Sequence, residues 1–215
     1  MLRVRPLASV SAGVALLAAM AGGSEAQQVG TAGAVNPAAQ ASGRVLNVGG
    51  NILFKERIST TAAGSVQVIF VDKTTLNIGP NSDMVIDEFV YNPNTKSGKM
   101  TATLTKGVLR VVGGNVTHTE GATVKTPVAS VGVRGGVATI SHSQQTGTQA
   151  INHFGRLEVS SGNSTETIRR PGFAVQVTTA QAAPSAPART TRSGASMPTR
   201  WNPRGPPEHE SGQPQ

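Results

Sequence analysis

The chain has 215 residues, a net charge of +8 and no cysteine. The missing thiols exclude a disulfide framework, a thiolate metal centre, a cysteine nucleophile and the lipidated cysteine of a lipoprotein. The basic excess is spread thinly, with Asp83, Asp87 and Glu88 among the bases and Arg169-Arg170 the only dense group. Such a charge favours weak attraction to anionic surfaces over a nucleic-acid site, which would cluster Lys and Arg on one element.

The first 26 residues read as a leader. Arg3 and Arg5 precede an uncharged apolar run from Leu7 to Ala21, and Ser24-Glu25-Ala26 puts small residues where a signal peptidase cuts. The run is shorter than the ~20 residues a bilayer crossing needs. The expectation is export, cleavage between Ala26 and Gln27, and a periplasmic or secreted mature chain without a transmembrane segment. Residues 27–42 are small and polar without periodicity and read as a flexible linker. Ordered structure is expected over residues 43–180. Residues 181–215 hold 7 of the 13 prolines, with only Met197 and Trp201 as large apolar groups. That composition predicts a disordered tail, in which Trp201 is a candidate partner anchor.

Between these ends the strand signals come in order. Ser65–Val71 is β-branched and aromatic and stops at the turn Asp72-Lys73-Thr74. Thr75–Ile78 runs to Gly79-Pro80-Asn81-Ser82, four turn formers. Met84–Ile86 and Phe89–Tyr91 follow, then a polar loop, Asn92–Lys99. Met100, Ala102 and Leu104 alternate with Thr101, Thr103 and Thr105, the period of a strand with one buried face. Lys106-Gly107 is expected to turn the chain into Val108–Val112. Further strands are predicted at Thr123–Thr126, Ser130–Val133, Val137–Ser141, Ala150–Phe154, Arg156–Val159, Glu166–Ile168 and Phe173–Val177. Frequent turns and no 3.6-residue apolar repeat argue for an all-β, antiparallel sandwich, jelly roll or barrel.

Three stretches carry a resemblance. They are Val45–Gly49 with Glu56–Thr60; Val68–Ser82, containing Asp72, Thr74, Gly79, Asn81 and Ser82; and Leu104–Arg110 with Thr126–Gly136, containing Lys106, Gly107, Arg110, Thr126, Pro127, Gly132, Arg134 and Gly135. Together they resemble the periplasmic domain of the FecR family over about residues 43–140. The resemblance implies a sandwich or jelly-roll-like domain of the kind used in envelope signalling. Two positions depart from the family's pattern. Lys73 stands where the family has glycine in Asp-Gly-Thr, and lysine tolerates positive φ poorly, so a different or longer turn is expected. Gly136 stands where the family tends to carry threonine. Sigma-regulating members also add a cytoplasmic segment and a membrane helix, where this chain shows a cleavable leader.

No constellation reads as catalytic. Val131–Gly136 is Gly-rich, yet no helix follows to form a phosphate cradle. It reads as a bulge or tight turn, with Arg134 solvated, holding a carbonyl, or contacting a ligand. His118, His142 and His153 are too far apart in sequence for a zinc pair, and no Gly-x-Ser-x-Gly elbow occurs. No cofactor is implied. The leading expectation is a non-catalytic binding module engaging an envelope protein or a glycan. A structural or secretion-linked β protein is the alternative, and a glycan-active enzyme the third reading.

Overall fold

The computed structural model describes residues 27–37 and 39–190. Fifteen strands account for nearly all of the regular structure in the described residues: β1 Gln28–Val35, β2 Ala39–Ala41, β3 Arg44–Val45, β4 Asn51–Leu53, β5 Arg57–Thr60, β6 Val66–Phe70, β7 Thr75–Ile78, β8 Asp83–Asn92, β9 Ser97–Val112, β10 Gly121–Lys125, β11 Ser130–Ser143, β12 Gly147–Ser161, β13 Ser164–Ile168, β14 Phe173–Val177 and β15 Ala188–Arg189. A single 3-10 turn, Val116–His118, interrupts them.

One hydrogen-bonded ladder joins all the strands, and three long ones change partners midway. Residues 97–106 of β9 pair with β8, whereas 107–112 pair with β11. The first part of β11 pairs with β10 and its second part with β9. The first part of β12 pairs with β14 and its last part with β13. The ladder therefore divides into two halves sharing β9, β11 and β12. Phe70 of β6 and Phe89 of β8 lie in different halves, and their ring centroids are 5.0 Å apart. The halves thus face each other across a single core.

Each crossing strand inverts its alternation where it changes halves. In β9 the buried side chains are Met100, Ala102 and Leu104, then Leu109 and Val111. In β11 they are Val131 and Val133, then Ala138, Ile140 and His142; in β12, Thr148, Ala150 and Asn152, then Leu157, Val159 and Ser161. A strand leaving one side of a core for the other must present the opposite face, and one bulged residue shifts the period-2 phase. The phase shifts fall at Gly107, Gly135–Gly136 and Gly155, all at positive φ. The expected turns at Lys106-Gly107 and between Val133 and Val137 are therefore corners within continuous strands.

The all-β sandwich reading holds, with one amendment: β10 runs parallel to β9. A parallel pair needs a crossover. The far half of β9 supplies it, carrying the chain away before residues 113–120 bring it back.

Two boundaries are corrected. Residues 27–42 are not a linker, because β1 lies between β4 and β6 with Val29 and Ala32 buried, and β2 buries Ala39 and Ala41. Small residues there serve close packing: a Cβ on Gly30 would lie 2.6 Å from the Ile69 carbonyl oxygen. At the other end, order runs past Ala180. The Ser185 amide bonds the Gln176 carbonyl at 2.8 Å, and β15 pairs with β14. The leader, Ala26 and the tail beyond Thr190, Trp201 included, lie outside the described residues.

Candidate functional site

The β6–β7 hairpin carries the most constrained polar group in the fold. Val71, Asp72 and Lys73 form its three-residue loop, closed by the Lys73 amide on the Phe70 carbonyl at 3.0 Å. The Asp72 side chain turns inward and is fully buried. Its carboxylate accepts from the Thr74 amide at 3.0 Å, the Thr74 hydroxyl at 2.5 Å and the Val116 amide at 3.0 Å. The Thr74 Oγ accepts in turn from the Gly114 amide at 3.1 Å. Burying a carboxylate is tolerable when fixed donors replace its water. Asp72 and Thr74 thus pin the crossover loop to the hairpin. Lys73 sits between them at φ +74°. The expected change of turn is corrected: the short loop is kept and Lys73 occupies the left-handed region.

The Gly79–Ser82 turn is held in the same way. Ser82 donates its amide to the Thr60 hydroxyl at 2.9 Å, and its Oγ accepts from the Val108 amide at 3.0 Å beside the Gly107 corner. Gly79 donates to the Val108 carbonyl at 2.8 Å, and Asn81, at φ +52°, to the Thr61 carbonyl at 3.0 Å. Lys106 pairs across the ladder with Asp83. Thr126 closes the turn through Pro127, with its Oγ accepting from the Ala129 amide at 3.0 Å.

At the β11 corner the Arg134 guanidinium bonds the Glu120 carbonyl. Of the readings open for Arg134, the structure places it on a carbonyl. Gly132 is a ladder position opposite Glu158 and Thr123. Gly135 and Gly136 make the bulge, and a Cβ on Gly136 would lie 2.1 Å from the Phe154 carbonyl oxygen. Gly136 at φ +84° is thus a requirement of the corner.

A buried relay escaped the sequence reading. His142 is 5% exposed, with its Nδ1 at 2.9 Å from the Thr148 hydroxyl, which lies 2.7 Å from that of Thr126. Burial pushes the imidazole pKa below its ordinary value, opposed by a backbone hydrogen bond with Gly147. The imidazole thus lies beside the hydroxyl that follows the Gly147-Thr148 peptide bond. His142 and Thr148 are directly opposed across the β11–β12 hairpin, six residues apart, and a hairpin register would have revealed them. Among the described residues no three His, Asp or Glu side chains converge on a common point.

What remains open to solvent is a sheet face. Direct partners Gln67, Asn77, Arg110 and Thr139 cross β6, β7, β9 and β11 in one row. Ile69, Thr75, Val112 and Val137 form the next. Gln67 donates to Asn77 at 2.9 Å, and Arg110 is exposed. This face offers amides, hydroxyls and one free guanidinium beside a half-exposed apolar stripe, which suits recognition rather than bond breaking.

Comparison with curated proteins finds no match. Two crystal structures of a candidate anti-sigma factor from Parabacteroides distasonis ATCC 8503 are similar in fold. One is 17% identical with a TM-score of 0.48 and the other 15% identical with 0.47, each match covering 62% of this chain. This chain spans 59% of the length of each. The family model described as FecR protein matches residues 56–163. That span takes in the Asp72–Thr74 loop, the Gly79–Ser82 turn and all three corners, and the chain belongs to the FecR family.

Proposed function

We propose that this chain is an exported, non-catalytic recognition module of the cell envelope, linked to envelope sensing, with the open sheet face as its contact surface. One observation carries the reading. The family-pattern residues are mostly taken up by the architecture, in the Asp72 knot, the Ser82 turn, the Thr126 clasp and the glycine corners, while Arg110 stays exposed with no ion pair among the described residues, in an outward-facing row. A face of paired amides and hydroxyls beside an apolar stripe matches the mixed chemistry of transient interfaces. The partner is an envelope protein or a glycan. Export is supported by the leader and by the placement of the domain's start. The Gln27 carbonyl already accepts from the Phe54 amide at 2.8 Å, one residue past the expected cleavage point.

A photo-crosslinking residue at Val112 or Asn77, activated in living cells of the source organism, tests this. The expected result is a discrete adduct at either position and none at exposed Lys96 in the β8–β9 loop. Identical patterns at all three positions would remove the face from consideration. N-terminal sequencing of the same material should begin at Gln27.

A further inference from the structure

The edge of the sheet at β14 and β15 carries charge that the fold does not use. Residues 134–157 and 169–190 contain five arginines and neither Asp nor Glu; Arg134 holds the Glu120 carbonyl and Arg156 pairs with Glu158, which leaves three. Arg169, Arg170 and Arg189 are exposed and form no ion pair among the described residues. Two of them flank Phe173: Arg189 is its cross-strand partner, and the Arg170 guanidinium lies 5.9 Å from its ring centroid. Phe173 pairs on its other side with Asn152, two residues before Phe154. Phe154 is 68% exposed, the most exposed large apolar side chain among the described residues. Strand spacings place the backbone of Arg189 within about 12 Å of Phe154. Phe154 pairs with Val137 on the outward face, whereas Arg189 shares the side of Phe173 and buried Asn152, so a ring with no polar handle stands in water two strands in from an edge that carries exposed guanidiniums.

We propose that this edge docks on a bilayer surface bearing anionic lipid headgroups. Guanidinium forks pair with headgroup phosphates through charge-assisted hydrogen bonds, while Phe154 enters the boundary between headgroups and acyl chains. Charge complementarity supports this occupant, since nothing acidic on these segments would repel the membrane. The apolar ring favours lipid over a soluble acidic polysaccharide. The groove at this edge, lined by Gln149, Gln176, Ser185 and Arg189, holds about 180 Å³, below the roughly 300 Å³ at which ligand pockets begin. It would not cradle a sugar chain. Phe154 is the direct partner of Val137 at the end of the second recognition row, whereas the arginines lie beyond that row, so loss of vesicle binding in the Arg→Gln variants and loss of crosslinks at Val112 or Asn77 can each occur without the other.

The test is co-sedimentation of the chain, as expressed and processed by a bacterial host, with phosphatidylcholine vesicles with or without phosphatidylglycerol. Binding is expected only to the anionic vesicles and should weaken with added salt. Each Arg→Gln change at 169, 170 and 189 should weaken binding about fivefold, the triple variant about a hundredfold. Phe154→Ser should weaken it about tenfold or more. The charge-matched variant with Lys55, Lys96 and Lys125 changed to Gln should bind like the parent. Equal loss in that variant would reduce the effect to net charge and overturn the proposal. Indifference to Phe154→Ser, with heparin bound equally well, would overturn it in favour of an acidic glycan. Melting curves of every variant confirm that the fold is intact.

Discussion

Removing the Asp72 carboxylate should unlock the crossover loop from the β6–β7 hairpin. Three donors converge on it: the Thr74 amide, the Thr74 hydroxyl and the Val116 amide. The hydroxyl can turn to another acceptor, but the two amides are fixed by the backbone. A buried donor left without its partner costs about 1–3 kcal/mol. Asp72→Ala should therefore cost about 3–5 kcal/mol, a large share of the ~5–15 kcal/mol that domains have. At about 2–4 °C per kcal/mol for a chain this size, the melting temperature should fall by roughly 10 °C. Asp72→Asn is the sharper probe. It keeps the volume but aims an NH₂ group at donors, so it should cost nearly as much as alanine. Urea unfolding with an unchanged m-value gives the difference directly. Thr74→Val removes part of the same network, so its cost should be less than additive with that of Asp72→Ala. An asparagine variant within 1 kcal/mol of the parent would show that Asp72 only fills space, and the loop would need another anchor.

Three further outcomes follow from local geometry. Lys73→Gly relieves a left-handed lysine that costs roughly 1–2 kcal/mol, less the greater chain entropy of glycine, so it should stabilise by about 0.5–1 kcal/mol in urea melts; a destabilised variant would contradict the turn. The buried His142 titrates below its ordinary pKa, so the unfolded chain takes up a proton that the folded chain refuses. Stability from this source is complete above about pH 6.5 and declines as pH falls below it, and His142→Gln should flatten melting curves between about pH 7 and 5. Ending the chain after Ala180 strips the Ser185 amide bond and β15 from the β14 edge, so it should cost about 1–2 kcal/mol; no loss would return residues 181–190 to the tail.

Alternation made the strand content legible, because Met100, Ala102 and Leu104 bury against water-facing threonines in any antiparallel fold. The same signal failed at the corners. A phase inversion at Gly107 or Gly136 looks in sequence like the end of one strand and the start of another. Only the pairing shows that the strand continues into the opposite half. β1 was hidden because Gly30, Gly33 and Ala34 carry no β-propensity, and their smallness answers to neighbouring backbone rather than to flexibility. The Asp72 knot was half legible. Acids at hairpin loops are common and exposed, and nothing local to residue 72 announces that Val116, 44 positions on, supplies a donor to it. Resemblance found the position, and packing explains it. The His142–Thr148 contact was withheld for the same reason as the corners, since it depends on a register that propensity does not fix.

The integrity of the chain turns on two junctions. Self-opening of a peptide bond by a hydroxyl requires that hydroxyl on the residue after the bond, a base to take its proton, and water to finish the ester. Gly135-Gly136 lacks the first, and the corner explains why: at φ +84°, with the Phe154 carbonyl 2.1 Å from where a Cβ would sit, threonine has no room at 136. Gly147-Thr148 has the hydroxyl, and in the tautomer that leaves His142 Nδ1 bare it has a base 2.9 Å away, since burial favours the neutral imidazole. Two features oppose the reaction there. The hydroxyl is shared with Thr126 at 2.7 Å, and Thr148 pairs on both sides, with His142 and with Val177. Attack would mean swinging the oxygen out of that pair and onto the Gly147 carbonyl while both ladders hold the backbone. Thr148 is also 1% exposed, so water has no route to an ester formed at it. The chain should therefore remain whole through prolonged incubation at neutral pH, giving a single intact mass. Fragments meeting at Gly147 and Thr148 would refute this, and their disappearance in His142→Ala would then identify the imidazole as the base.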